Sequence, residues 1–514
     1  DAGSALANVV LRYGGVASYG IDYPVLLEDG VDPYLASLSF EDNRINAVAF
    51  EGGTFGSNRT ISNPDVPYYV LDDIVIDPGA VLTIEPGVLL KMGSQTDIYV
   101  DGGLVAEGTE DDPVVFTSWM DSTRGGPVVG SDLSVGNPQD WGGVYFTSSA
   151  LDAYSLLSNV EIRYGGAVSY AEDAPLRISG YANPTFENVL LEDNIPNAVA
   201  VDTGSYSASF TLQDLDGLPY WIDGDITVSA AATMTIDPGV VLQLNSLDDI
   251  IVDGTLMAVG TSSAPIIFTS WADDSAAGID ADGEGVSAGA TEDWGGIEFS
   301  SSASDSSVLS DVEIRYCGSD SYSSDAPILL DPRVNPSIGS VTLVDCTPNA
   351  IQLESGTYSS DISIEALELP YWVAGDIEVG AGATMSIESG TVLKMGSGVD
   401  LRIRGALVAD GTSDAIQFTS YRDDSVGGDS DNEGTSVGVP GDWGGMRFYS
   451  TLDTATTVLR GLDISYAGGS TWAMYFDGSG AAVEDSVFED CDGGIYVTSS
   501  GTPDLGGGSL WSTG

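Results

Sequence analysis

Carboxylates crowd two short stretches of this chain. One reads Asp273-Asp274 and then Asp280-Ala281-Asp282-Gly283-Glu284-Gly285; the other reads Asp423-Asp424 and then Asp429-Ser430-Asp431-Asn432-Glu433-Gly434. Acidic side chains at alternate positions, closed by a glycine, set several hard oxygens around one point. That chemistry suits calcium, which takes about six to eight oxygen ligands in loose geometry. The expected ligands are Asp273, Asp274, Asp280, Asp282 and Glu284 in one stretch, and Asp423, Asp424, Asp429, Asp431 and Glu433 in the other. The pattern is not an EF-hand, because it lacks that loop's spacing and its flanking helices. An earlier stretch keeps Asp121 and Asp132 but inserts Arg124, and is expected not to bind. The competing reading is a solvated acidic loop with no ion.

Other chemistries are scarce. The chain has no histidine, which removes Ser-His-Asp and Cys-His nucleophiles and every His-ligated zinc or haem site. Cys317, Cys346 and Cys491 do not make a disulfide scaffold. Cys346 and Cys491 follow Asp345 and Asp490 where earlier stretches carry Asn43 and Asn194, so they read as small packing residues, with a Cys317–Cys346 bridge as the alternative. Paired carboxylates for glycoside hydrolysis have no discriminating power among 78 acidic residues. Asn58-Arg59-Thr60 is a formal glycosylation sequon.

Against 78 acidic residues stand 15 basic ones, a formal charge of −63. Such a field repels nucleic acid and anionic lipid and gathers cations. The only lysines are Lys91 and Lys394. An Asp-rich, Lys-poor surface suits salty or calcium-containing surroundings, where self-repulsion is screened. No apolar run reaches membrane-spanning length, so no membrane insertion is expected.

The acidic stretches sit in a repeating frame. Asp-Trp-Gly-Gly stands at 140–143, 293–296 and 442–445, at intervals of 293 − 140 = 153 and 442 − 293 = 149 residues. Phe-Thr-Ser stands at 116–118, 268–270 and 418–420, and Arg-Tyr-Gly-Gly at 12–15 returns at 163–166 and, altered, at 315–318 and 465–468. A residue present in every copy does the same job in each, which favours scaffold over active site. Recurrent aromatics (Trp141, Trp294, Trp443; Trp119, Trp271, Tyr421; Tyr68-Tyr69, Tyr220-Trp221, Tyr371-Trp372) stand beside Gly or Pro and are expected to cover corners or stack on each other. A sugar platform is the alternative use.

Within one copy, Val81-Leu82-Thr83-Ile84 alternates with period two, Glu85-Pro86-Gly87 interrupts, and Val88 to Met92 resumes. That is strand, then a type II turn whose Gly supplies φ > 0, then strand. Copies follow at Asp237-Pro238-Gly239 and Glu388-Ser389-Gly390, where Pro is lost and Gly remains. Helical spacing is almost absent, and Asn-Gly hairpin turns are scarce. Short strands with single-residue corners stack in parallel.

The pattern resembles the right-handed parallel β-helix, and within it the large repeat proteins of bacterial and archaeal cell surfaces. The words that carry the likeness are Phe-Thr-Ser-Trp/Tyr at 116–119, 268–271 and 418–421, the acidic loops, and Asp-Trp-Gly-Gly with its following apolar-x-Phe strand at 140–146, 293–299 and 442–448. The resemblance implies an all-β solenoid of about twenty coils in tandem units of about 150 residues, a rod of about 100 Å at strand spacing. It also implies calcium in the Asp-rich loops. Unit boundaries are expected at 1–162, 163–314, 315–464 and 465–514, in one continuous solenoid. A comparison with pectate lyases fails on arginine, since Arg163 and Arg315 belong to the repeated word and Arg402 and Arg404 stand apart from any singular acidic constellation. Neither end reads as a cap, so the chain is expected to be part of a longer protein or to stack end to end on copies of itself.

The expected function is therefore an extracellular structural or adhesive rod or filament subunit of a cell surface. Calcium would stiffen it, its partners would be itself and cell-surface glycans or proteins, and it would have no enzymatic activity. The alternatives are a glycan-binding or polysaccharide-lyase-like protein and a passive halophilic spacer.

Overall fold

The computed structural model describes residues 4–15, 23–28, 31, 33–129, 134–166, 174–283, 285–318, 326–470, 472–498, 500–504 and 511–513. The architecture is all-β. Among the described residues the single α-helix is the one turn Asp274–Ala277.

A strand does not pair with its successor in the chain. Tyr68–Val70 pairs with Leu89–Met92, which pairs with Val114–Ser118. Ile74–Ile76 pairs with Ile98–Val100, and that with Val144–Phe146. Val81–Ile84 pairs with Gly103–Glu107, and that with Leu156–Arg163. All these ladders are parallel, and the order recurs at Tyr220–Ile222, Val241–Leu244 and Ile266–Ser270, and at Tyr371–Val373, Val392–Met395 and Ile416–Ser420. Parallel neighbours cannot be joined by a hairpin; the connecting chain must travel through other strands first.

Corner chemistry makes this possible. Gly87, Gly239 and Gly390 sit at φ +73°, +90° and +88°, and Val88, Val240 and Thr391 donate back to the carbonyls of Glu85, Asp237 and Glu388. The positive φ explains why glycine survives in the third copy where proline does not.

Alternate residues of each strand point inward. Leu82 and Ile84, Leu104 and Ala106, and Leu157 are buried in one apolar core that extends from Leu27 to Phe488. Each buried Leu, Ile, Val or Phe side chain contributes about 1.5–3 kcal/mol of transfer free energy.

The Asp-Trp-Gly-Gly word closes the long loop of each unit, and every letter has a reason. Asp140, Asp293 and Asp442 each take the hydroxyl of Ser118, Ser270 and Ser420 at 2.6, 2.7 and 2.7 Å, fastening the loop's end to its start. Trp141, Trp294 and Trp443 are fully buried, and their Nε1 donates to the carbonyls of Arg163, Arg315 and Ser465 at 2.7, 2.7 and 2.8 Å. A Cβ on Gly142, Gly295 or Gly444 would lie 1.8–2.0 Å from a carboxylate oxygen of Asp97, Asp249 or Asp400. On Gly143 or Gly296 it would strike the carbonyl of Ala174 or Ala326. Those Asp residues form ladders of their own: Asp97, Asp249 and Asp400 donate their backbone N–H to Asp73, Asp225 and Asp376 side chains at 2.9, 3.0 and 2.8 Å.

Candidate metal centre

The loops between Phe-Thr-Ser and Asp-Trp-Gly-Gly are built from both ends. At the opening, the Thr hydroxyl of each word donates to an Asp four residues on: Thr117 to Asp121, Thr269 to Asp273 and Thr419 to Asp423, at 2.8, 2.7 and 2.6 Å. The other oxygen of each Asp accepts from the backbone N–H and hydroxyl of Thr123, Ser275 or Ser425. Arg315 adds an ion pair to Asp273 at 3.2 Å. Asp273 and Asp423 are thus buried loop-opening residues with both oxygens engaged, the same role that Asp121 plays in the first unit.

The next aspartate points the other way. Asp274, Asp280 and Asp282 bring one carboxylate oxygen each within 4.8 Å of one another, and Asp424, Asp429 and Asp431 do the same. In the first unit Ser122 stands where Asp274 and Asp424 stand. Backbone amides fix the carboxylates. Asp274 accepts from Ala281 at 3.2 Å and from Ser287 at 2.6 Å, and Asp280 accepts from Gly283 and Gly285 at 2.8 and 3.2 Å. In the other loop Asp424 accepts from Ser436, Asp429 from Gly434 at 3.0 Å, and Asp431 from Glu433 at 3.3 Å. Glu433 itself is exposed, and Glu284 lies outside the described residues.

Three carboxylates in one place repel each other. Asp431 is raised above the ordinary aspartate value, first by burial, then by its hydrogen bond to Asp429 and by the charges of Asp429 and Asp424. One oxygen of Asp424 and one of Asp429 are buried without a hydrogen-bond partner. Unpaired buried carboxylate oxygens are costly. The donor set is all hard oxygen, with amide-oriented carboxylates, the ligand type that a hard divalent cation takes. The six clustered aspartates are the residues that would hold it.

Two supports were not legible as such. An asparagine from far upstream clamps each loop. Asn46, Asn197 and Asn349 donate their backbone N–H to the carbonyls of Val128, Ala281 and Ser430, all at 2.8 Å. The Asn197 side chain also reaches the Asp280 carbonyl at 3.1 Å. Their shared Asn-Ala dipeptide at 46–47, 197–198 and 349–350 was the available clue. Beneath each loop lies a fully buried outward-pointing residue, Lys91, Gln243 or Lys394. Lys91 donates to the carbonyls of Asp121 and Gly126, Gln243 to that of Asp273, and Lys394 to that of Gly428.

The recurrent aromatics pair across strands: Tyr69 with Trp119 and Trp221 with Trp271 have ring centroids 6.0 and 5.2 Å apart. Tyr164, Tyr316 and Tyr466 cover Gly136, Gly289 and Gly438, where a Cβ would lie 2.4 Å from the ring. The three cysteines are free, and Cys346 and Cys491 direct their thiols at the carbonyls of Ile314 and Ile464 at 3.4 Å, as Asn194 directs its amide at Ile162. No helix among the described residues is long and apolar enough to cross a membrane.

Set against known proteins, the chain matches no family model and no solved structure. A stretch of 106 residues, 20% of this chain, is 33% identical to part of Protein bark beetle from Drosophila melanogaster, and the match spans 3% of that protein's length.

Proposed function

We propose that the chain is a right-handed parallel β-helix that serves as an extracellular structural or adhesive rod or filament subunit of a cell surface, without enzymatic activity. The observation that carries this reading is repetition of role. The buried Trp, its carbonyl partner, the Ser–Asp fastening and the Thr–Asp lock are the same in three successive units. Machinery repeated without variation stiffens a scaffold; it does not single out one reaction centre.

Calcium in the two aspartate clusters completes the proposal. Each ion would offset two of the three negative charges of its cluster and cross-link distant points of the loop, so binding to the folded chain alone would stabilise it. Partners are copies of the chain, or a longer chain that contains it, and surface glycans or proteins. Thermal melting of the full chain in calcium and in a chelator tests the cation, and negative-stain imaging tests the rod. An unchanged melting transition would remove calcium, and round particles would remove the solenoid.

One observation favours glycan binding as a second reading. Trp472 and Tyr475 both stack on Tyr496, at 5.4 and 5.1 Å between centroids, and Trp472 and Tyr496 are each 41% exposed. A glycan array with Trp472→Ala as its control decides it.

A further inference from the structure

The two aspartate clusters look alike but stand over different residues. In the ladders, Gln243 aligns with Thr269 and Lys394 with Thr419, so both occupy one position beneath the loop. Both are fully buried. Lys394 brings a positive charge under the third-unit cluster; its ammonium is lowered by burial, while the charges of Asp424, Asp423, Asp431 and Asp429 act to hold the proton on. Gln243 brings none. Its Nε2 donates to the Asp273 carbonyl at 3.0 Å, and its Oε1 is buried with no hydrogen-bond partner. The Gln243 amide thus meets the loop at the residue before Asp274, with a fully buried carbonyl oxygen to spare.

The other cations nearby do not erase the difference. Arg315 is spent at the loop's opening, on Glu313 at 2.8 Å and Asp273 at 3.2 Å. Ser465 replaces it in the third unit, so Asp423 lacks that partner. Arg422 lies over the Tyr421 ring at 5.1 Å. Among the described residues, Lys394 is the cation that reaches this loop from beneath, donating to the carbonyl of Gly428 beside Asp429.

We propose that the clusters are two divalent-cation sites of unequal affinity, with residue 243 or 394 as the determinant. The Asp274–Asp280–Asp282 site over neutral Gln243 binds more tightly. Lys394 is a resident counter-cation that weakens the Asp424–Asp429–Asp431 site and holds its loop together when the ion is absent. In the first unit Lys91 stands beneath a loop without the carboxylate triad, the limit of the same series. This inference rests on the cation reading of the loops.

Reciprocal exchange tests it, and each exchange installs a residue native to that position in a sister unit. Calcium is titrated calorimetrically into the full chain, with Asp282→Asn and Asp431→Asn used to assign the two events. Lys394→Gln should tighten the weaker event by about tenfold or more, and Gln243→Lys should weaken the tighter one similarly, the scale of one unit charge a few ångströms away. Two events of equal affinity, unmoved by either exchange, overturn the inference while leaving the cation reading intact. No calcium binding in the parent chain overturns both.

Discussion

Asn349 donates its backbone N–H to the carbonyl of Ser430 at 2.8 Å, joining a strand corner to the middle of an acidic loop eighty-one positions later (430 − 349 = 81). Asn197 makes the same bond to Ala281. Loops of this length normally roam; these are held at both ends and in the middle.

The clamp's side chain can be removed while its backbone bond stays. Asn197→Ala loses the 3.1 Å bond to the Asp280 carbonyl and the acceptor for the Asn194 backbone N–H at 2.9 Å. Unfolding free energy should fall by about 1–3 kcal/mol. Limited proteolysis should begin within the 274–292 loop in the variant and not in the parent; equal cleavage patterns would separate the clamp from loop order.

The glycines of the repeated word provide a steric contrast. Gly295→Ala places a Cβ 2.0 Å from an Asp249 carboxylate oxygen and 3.0 Å from the Asp248 carbonyl, so the ladder must move. The expected loss is about 3 kcal/mol or more. Gly339→Ala, inside a strand with nothing within 4 Å, should be neutral or stabilise by about 0.4–1 kcal/mol through the unfolded chain. Urea melts of the two variants compare them directly.

Trp443→Phe keeps one aromatic ring in the buried site but removes the Nε1 donor and part of the indole volume, leaving the Ser465 carbonyl without its 2.8 Å partner. The variant should lose about 1–3 kcal/mol. Trp443→Ala should lose about 3–5 kcal/mol, because a cavity is added. If Phe costs as much as Ala, the hydrogen bond and not the ring volume holds the loop's end.

Acid–base behaviour should show at Asp248. Burial first, then the charges of Asp223 and Asp225, push its carboxyl up to about 6, while its bond from the Gly224 N–H at 2.8 Å acts the other way. A raised carboxyl pKa means that the folded chain prefers the protonated form. Its contribution is present in full below the unfolded value near 4 and is lost as pH rises to about 6. Asp248→Asn should therefore flatten the fall in urea midpoint across that window, measured in a chelator. A parent profile with no decline there would contradict the assignment.

Much of the fold was legible in the residues. Alternation at Val81 to Ile84 and the turn at Glu85 to Gly87 follow from local sterics, and the parallel ladders carry both. The recurrence of Asp-Trp-Gly-Gly announced a repeated job, because identical letters at one interval need one environment. The clustered aspartates were legible as a set, since six of the ten acidic residues singled out do converge.

What the sequence could not separate was Asp273 from Asp274, or Asp423 from Asp424. The letters are identical and adjacent. Only the stacked strands decide that the first meets a Thr hydroxyl in the wall and the second turns into the loop. Nor could it put Gln243 and Lys394 beneath those loops or bring Asn197 and Asn349 against them, because such partners are set by strand register over dozens of residues. Local spacing fixes which groups are available; the distance between them belongs to the tertiary fold.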